Sequence, residues 1–152
     1  MRRFLHMLGV VWRADGQPPS ARTVEVFGWI VLAEGMLALF APVFVANVLR
    51  LPELSVQSAN YVRLVGLLLG GIGMLYVISG RTNAQGFVFA SLLDRPLVPI
   101  VMAIVWLLGL IPGQLALLFG LSDSLSFLWT LRAWVRENAV PVNVAAANPA
   151  VE

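Results

Sequence analysis

The sequence predicts an all-α integral membrane protein, a bundle of four transmembrane helices, on two observations. Of the 152 residues, 59% are hydrophobic and only 12% are charged, whereas a soluble domain is typically about 25% charged. Four apolar stretches are each long enough to cross a bilayer, which takes about 20 residues. They cover 24–45, 60–79, 87–108 and 114–135. We therefore expect one membrane domain over residues 23–137.

Residues 1–22 are expected to form an amphipathic arm and a linker before the membrane domain. The first residues resemble the start of a signal peptide, but the apolar stretch 4–12 is short, contains a histidine and is not followed by a small-residue cleavage site. Such a segment is expected to lie on the membrane surface with its apolar side chains inserted. Gly16 and two prolines mark the linker.

The second span carries glycines and two candidate site residues. Arg63, Gly66, Gly70 and Gly73 share one helix face at spacings of 3, 4 and 3, and small residues at such spacings let a neighbouring helix approach closely. Arg63 is a candidate contact for an anion or lipid headgroup, or it simply extends to the membrane surface. Tyr76 is a candidate hydroxyl donor to a polar cluster, or an interfacial anchor.

The third span is interrupted by Asp94, Arg95 and Pro96. We expect a continuous span with a kink at Pro96. The alternative is an interfacial helix over 83–93, after which Asp94 caps a shorter span that begins at Arg95. In both cases Arg95 is expected to face the protein rather than lipid.

The fourth span carries Asp123 on one face with Ala116, Gly120 and Thr130. Small residues beside a polar group favour close packing of a neighbouring helix at that point. The alternative is that Ser122 and Asp123 cap a short surface helix, but too few apolar residues would then remain to span the bilayer.

Three ionisable side chains are predicted to meet near the bilayer midplane. At 1.5 Å per residue, Glu34, Arg95 and Asp123 lie about 15, 12 and 14 Å into their spans. A charge at that depth costs about 2.5–3.5 kcal/mol on insertion scales. We hypothesise that Arg95 pairs with one carboxylate while the other carboxyl is protonated at neutral pH. The cluster is either a structural ion pair between helices or a ligand or proton site, with Asp94 beside it.

The composition excludes several classes of chemistry. There is no cysteine and only one histidine, so thiol chemistry is excluded and we expect no metal site and no cofactor. No basic stripe with interleaved aromatics is present, so nucleic acid is not an expected partner. The chain offers no set of nucleophile and base, so an intramembrane isomerase or hydrolase is the least favoured class.

The distribution of arginines predicts the orientation. Seven arginines flank the spans on the side that carries both termini, and two lie on the opposite side. The positive-inside rule then places both termini in the cytoplasm, and we expect a multi-pass protein of the bacterial inner membrane. Residues 138–152 are expected to form a disordered tail.

Scattered positions over 24–136 resemble small four-span bacterial proteins of the BphX-like or DoxX-like kind. They comprise a glycine-rich second span with Tyr76 and Arg81, then Arg95, a Gly-x-x-Pro hairpin at 109–112, Asp123, and Trp-Thr-Leu at 129–131. Some such proteins are encoded beside catabolic or quinone-linked oxidoreductases. The resemblance implies an accessory membrane role and assigns no catalytic residue.

The expected function is therefore binding or accessory rather than enzymatic. The polar cluster would hold a small hydrophobic molecule such as a quinone or a lipid, or would support a partner such as a membrane oxidoreductase. The alternative is a proton-coupled transporter or exporter that uses the same carboxyls, as a homo-oligomer because four helices enclose little pathway.

Overall fold

The computed structural model describes residues 1–14 and 16–139, and these residues are helical, without strands. The helices are α1 (Arg2–Arg13), α2 (Pro19–Phe40), α3 (Pro42–Val48), α4 (Val56–Arg81), α5 (Gln85–Asp94), α6 (Leu97–Leu107) and α7 (Gly113–Asn138). Four units are long and apolar enough to span a membrane, namely α2, α4, α5 with α6, and α7. The predicted fold class is confirmed. Most of the predicted tail, 140–152, lies outside the described residues.

The long helices run antiparallel to their neighbours. Gly80 of α4 lies against Glu25 of α2, and Gly66 lies against Leu39. Ser20 at the start of α2 contacts Glu137 at the end of α7. The start of α2 and the ends of α4 and α7 therefore lie together, and we call this the termini end. The opposite end, with the α3–α4 and α6–α7 connections, is the loop end.

The first span differs from its predicted bounds of 24–45, because α2 begins at Pro19 and ends at Phe40. Proline is favoured in the first turn of a helix, where its missing N–H has no partner to lose. The polar residues that follow it lie within the helix because Ser20 and Thr23 are buried by packing. At the other end, Pro42 cannot donate a backbone hydrogen bond, and it starts the separate short helix α3.

The third span is kinked where the sequence places its prolines. Arg95 and Pro96 keep right-handed helical dihedrals between α5 and α6. Pro96 and Pro99 have no N–H, so the helical hydrogen bonds that they would donate are missing. Asp94 is the last residue of α5 rather than the cap of a shorter span. The backbone thus follows the kinked, continuous arrangement over Gln85–Leu107.

Helices α2 and α4 are in backbone contact through glycines. A Cβ added to Gly66 would lie 2.5 Å from Leu39 N, and one added to Gly28 would lie 2.6 Å from Val77 N. A Cβ on Gly35 would meet the Gly70 backbone, and one on Gly73 would meet Leu32. Small residues on both helices allow this approach, which brings the polar side chains of α2 close to α4.

Helix α1 is amphipathic and joins the bundle at the termini end. Its apolar side chains are exposed, and Trp12 is 85% accessible. Arg81 Nη1 donates to the Val11 carbonyl oxygen at 3.1 Å, which ties α1 to the end of α4. A helix with a basic face and an exposed apolar face suits a membrane surface.

Candidate functional site: a buried arginine at the kink of the third span

Arg95 is the most unusual side chain in the bundle, because it is charged and 0% exposed. Its Nη1 donates to Thr130 Oγ1 of α7 at 2.9 Å. The Thr130 hydroxyl is hydrogen-bonded to Thr23 Oγ1 of α2 at 2.9 Å, and both threonines are buried. Arg95 therefore connects the third span to the first and the fourth through two hydroxyls.

Two aromatic rings form the other walls around the guanidinium. Arg95 Cζ lies 4.2 Å from the centroid of the Phe27 ring and 5.2 Å from that of Tyr76. The Tyr76 ring also packs edge-on against Phe87 at 4.8 Å. Cation–π contact stabilises a desolvated guanidinium by about 2 kcal/mol or more, which explains part of how a charge is retained here.

The guanidinium nevertheless keeps unsatisfied donors. Arg95 Nε and Nη2 are buried and have no hydrogen-bond partner among the described residues. An unpaired buried donor costs about 1–3 kcal/mol, and more when it is charged. Nε and Nη2 are thus charged donors without an acceptor within the part of the chain that the structure describes.

The hypothesised ion pair of Arg95 with Asp123 or Glu34 is not formed. In residues 1–14 and 16–139 the side-chain ion pair is Arg81–Glu25, with 2.7 Å between Nε and Oε1. Asp123 and Asp94 are close enough to act electrostatically on Arg95, but neither contacts it. The partners of Arg95 are a hydroxyl and two aromatic faces instead.

Arg95 forms no ion pair with Glu34 or Asp123 because it lies at a different height along the bundle axis. Arg95 contacts Phe27 and Thr130, which are each seven residues from Glu34 and Asp123, or about 10 Å along the helix axis. Helical side chains lean towards the start of their own helix. The third and fourth spans are antiparallel, so Arg95 leans to the termini end while Asp123 leans to the loop end.

Glu34 and Asp123 do share a level. Both are half-buried, and each carboxylate is near enough to the other for their charges to interact. Asp94 is exposed. The predicted single cluster is thus two neighbouring groups, with Arg95 and Tyr76 towards the termini end and the two carboxyls nearer the midplane.

The remaining predicted residues have separate places. Arg63 is exposed near the loop end, and its Nη1 donates to Asn60 Oδ1 at 2.9 Å, so it takes no part in the Arg95 cluster. Gly66 and Gly73 lie at the α2–α4 contact. The backbone of Gly70 lies against Gly35 there, but a Cβ on Gly70 itself would meet only Leu32 Cδ1 at 3.8 Å. Gly120 lies against Pro99 of α6, at a looser distance of 3.7 Å for an added Cβ.

The sequence reasoning missed the polar cluster at the termini end. Glu25 Oε1 accepts from Arg81 Nε at 2.7 Å and from Trp29 Nε1 at 3.3 Å. Arg81 also lies over the Trp29 ring, 5.6 Å from its centroid. The available signal was an acidic residue near the start of one span and a basic residue at the end of its antiparallel neighbour.

An apolar groove opens between α6 and α7 towards the loop end. Its volume is about 290 Å³, and Ser124 in its lining follows Asp123 in the sequence. Along α6 it begins at Pro99, one helical turn or about 6 Å beyond Arg95. The side chains around it are small or apolar and include Ala103, Trp106, Ala116 and Gly120.

The described residues contain no group of three or more histidine, aspartate or glutamate side chains placed to hold a metal ion. Comparisons of the chain with protein-family models, with curated proteins and with solved structures found no match. The resemblance to BphX-like or DoxX-like proteins therefore stays a prediction from scattered positions.

Proposed function

We propose that the protein binds a hydrophobic molecule with an oxygen-bearing head, of the quinone or lipid kind, in an accessory role within the membrane. The observation that carries the proposal is the buried Arg95, whose Nε and Nη2 have no partner among the described residues. A quinone carbonyl or a lipid ester oxygen would accept from these groups, and a hydrogen bond to a charged donor is worth about 1.5–3 kcal/mol.

The surroundings of Arg95 support the same class of ligand. The groove between α6 and α7 is mostly apolar and suits an aliphatic tail. Ser124 in its lining follows the half-buried Asp123 in the sequence, and Arg95 lies beyond the groove towards the termini end. Pockets that combine an apolar lining with a few placed polar groups are typical of small-molecule sites. The head would lie among these polar groups and the tail in the groove.

The test is ligand binding by the purified full chain in detergent. We would extract the wild type and identify the copurifying molecules by mass spectrometry, and then measure binding of a decyl-substituted benzoquinone. Arg95→Met and Ala116→Trp should lose binding, the first by removing the donors and the second by filling the groove. Arg50→Met, at an exposed arginine near the loop end, is the matched control and should bind normally.

The fold of Arg95→Met should survive, because replacing a buried charge with an apolar side chain is often neutral or stabilising. Loss of the ligand with an unchanged melting temperature would support the proposal. Equal binding by the wild type and Arg95→Met, or no bound molecule in either experiment, would contradict it.

A second candidate, proton-coupled transport, has its own observation. Glu34 and Asp123 share a level in the membrane, are half-buried and form no ion pair within the described chain. Carboxyls placed in this way are typical of proton relays. In proteoliposomes, pH-dependent flux should disappear with Glu34→Gln or Asp123→Asn and persist with Glu53→Gln, which lies in an exposed loop. Flux unchanged in the first two variants would exclude this candidate.

The proposed setting is the bacterial inner membrane with both termini in the cytoplasm. Arg22, Arg132 and Arg136 are exposed at the termini end, whereas Arg50 and Arg63 lie towards the loop end, as the positive-inside rule requires. The chain has no cysteine, so Gln57→Cys and Asn138→Cys can be labelled without background. In intact cells an impermeant maleimide should label Gln57→Cys and leave Asn138→Cys unlabelled; the reverse pattern would invert the topology.

A further inference from the structure

A cleft of about 770 Å³ opens at the termini end between α2 and α7. It shares Thr23 with the Arg95 cluster and has no lining residue in common with the apolar groove. Its two walls are single faces of antiparallel helices. Arg22 and Val26 stand one turn apart on α2, and Trp129, Ala133 and Arg136 follow one another at helical spacings on α7. The lining residue farthest from the termini end is apolar on each wall, Val26 on α2 and Trp129 on α7.

The cleft concentrates positive charge, because three arginines and one glutamate line it. Arg22, Arg132 and Arg136 line it and are exposed, and within residues 1–14 and 16–139 none of them forms a hydrogen bond or an ion pair through its side chain. The acidic residue in the lining, Glu137, accepts from the backbone N and the Oγ of Ser20. Its carboxylate is thus engaged by the start of α2.

Val26 and Trp129 each lie deeper in the bundle than the arginines of their own helix. From Arg136 to Trp129 the wall of α7 runs about 10 Å along the axis, and from Arg22 to Val26 the wall of α2 runs about 6 Å. Arg22 and Arg136 are therefore at the water-facing end of the cleft, and Arg132 lies at the level of Ala133. Val26 and Trp129 are on the membrane side of it. A molecule that fills the cleft should be anionic at one end and apolar at the other.

We infer that this cleft binds the phosphate of an anionic phospholipid, with the arginines on the headgroup and the acyl chains along Val26 and Trp129. Guanidinium groups bind phosphate through paired hydrogen bonds, and basic pockets between transmembrane helices are known to hold lipid headgroups. Free phosphate shares the headgroup chemistry, but it would leave the apolar part of the cleft unused. The inference does not depend on the ligand proposed for Arg95.

The test is lipid retention by the full chain, measured by native mass spectrometry in detergent. Phosphatidylglycerol and phosphatidylcholine with the same acyl chains are the probes. The double variant Arg132→Gln/Arg136→Gln is compared with Arg13→Gln/Arg50→Gln, which removes the same charge from exposed positions outside the cleft. Arg132→Lys/Arg136→Lys keeps the charge but loses the paired geometry. Circular dichroism checks that each variant is helical.

The wild type and Arg13→Gln/Arg50→Gln should retain phosphatidylglycerol in preference to phosphatidylcholine. Arg132→Gln/Arg136→Gln should bind it about tenfold more weakly or worse, the scale of one lost charge-assisted hydrogen bond, with the lysine variant in between. Equal retention by the two charge-matched variants would overturn the inference. So would thermal protection of the wild type by inorganic phosphate alone, without preference between the lipids. If Arg132→Gln/Arg136→Gln does not fold, Val26→Trp, at a half-buried position of the lining, fills the apolar part and must weaken the same preference.

Discussion

The pair α2 and α4 and the pair α6 and α7 are both antiparallel, yet they pack in opposite ways. Between α2 and α4, glycines on both helices bring the backbones into contact, as at Gly35 and Gly66. Between α6 and α7, Gly120 meets Pro99 and leaves room for a Cβ. None of the residues of α6 is buried. Small residues on both partners produce close contact, whereas one glycine opposite a proline leaves a groove.

The difference separates a closely packed part of the bundle from a loosely packed part, where the tail of the proposed ligand would lie. The close α2–α4 contact fixes Phe27 and Tyr76 as the aromatic walls of the Arg95 cluster. The loose α6–α7 contact begins one turn after Arg95 and opens to the surroundings. Van der Waals packing drives helix association in membranes, so the loosely packed pair is where an additional molecule can take the place of missing contacts.

The largest effect is expected from breaking the close pair. Gly66→Ala should destabilise the protein by about 1–3 kcal/mol, the usual range for overpacking, because its Cβ would lie 2.5 Å from Leu39 N. Gly70→Ala on the same helix is the control, since its Cβ would meet only Leu32 Cδ1 at 3.8 Å. Thermal unfolding in detergent measures both. Equal stability of the two variants would show that the backbones are not in contact.

A loss of comparable size is expected at the junction between the two pairs. Thr130→Val removes the acceptor of Arg95 Nη1 and the contact to Thr23 Oγ1. Leaving a buried charged donor unpaired should cost about 1–3 kcal/mol. Thr82→Val, whose hydroxyl donates to the Ile78 carbonyl at a helix end, should cost less than about 0.5 kcal/mol, typical of surface changes. Equal unfolding free energies for both would contradict the role given to Thr130.

Glu25 and Arg81 form an ion pair that joins α2 to α4 at the termini end. Its contribution to stability can be tested by mutation. Their side chains are 10% and 26% exposed, so Glu25→Gln should cost about 1–2 kcal/mol, between an exposed and a buried pair. A double-mutant cycle with Arg81→Gln isolates the coupling. Hydrogen exchange should quicken in α1, because Arg81 also binds the Val11 carbonyl. Additive effects and unchanged exchange would mean that the pair is not coupled.

The smallest effect is expected in the loose pair. Gly120→Ala should be neutral or should stabilise the protein by about 0.5 kcal/mol, because alanine is the better helix former and its Cβ would lie 3.7 Å from Pro99. A loss as large as that of Gly66→Ala, in the same thermal unfolding measurement, would remove the contrast between the two pairs.

Particular residues show how much of the candidate site could be predicted from the sequence. The interruption at Pro96 and the inward orientation of Arg95 were predictable, because proline removes a helical hydrogen bond and a charge avoids lipid. The partner of Arg95 was not predictable. A depth in the membrane estimated from residue numbers ignores the direction in which each side chain leans along its helix. That lean separates Arg95 from Asp123 and brings it to Thr130. Glu25 was missed because its importance depends on which helix packs beside it.

By itself, the sequence determined the number of spans, their approximate bounds, the kink and the glycine face of α4, since these follow from local composition and the helical repeat. The tertiary structure alone decided which glycines contact a neighbouring backbone and which residues pair with Arg95 and Arg81. It also decided where the apolar groove and the cleft at the termini end open. These features depend on contacts between residues far apart in the chain, from 35 positions for Arg95 and Thr130 to 117 for Ser20 and Glu137. The local sequence pattern does not predict such contacts, because they form only when the helices pack together.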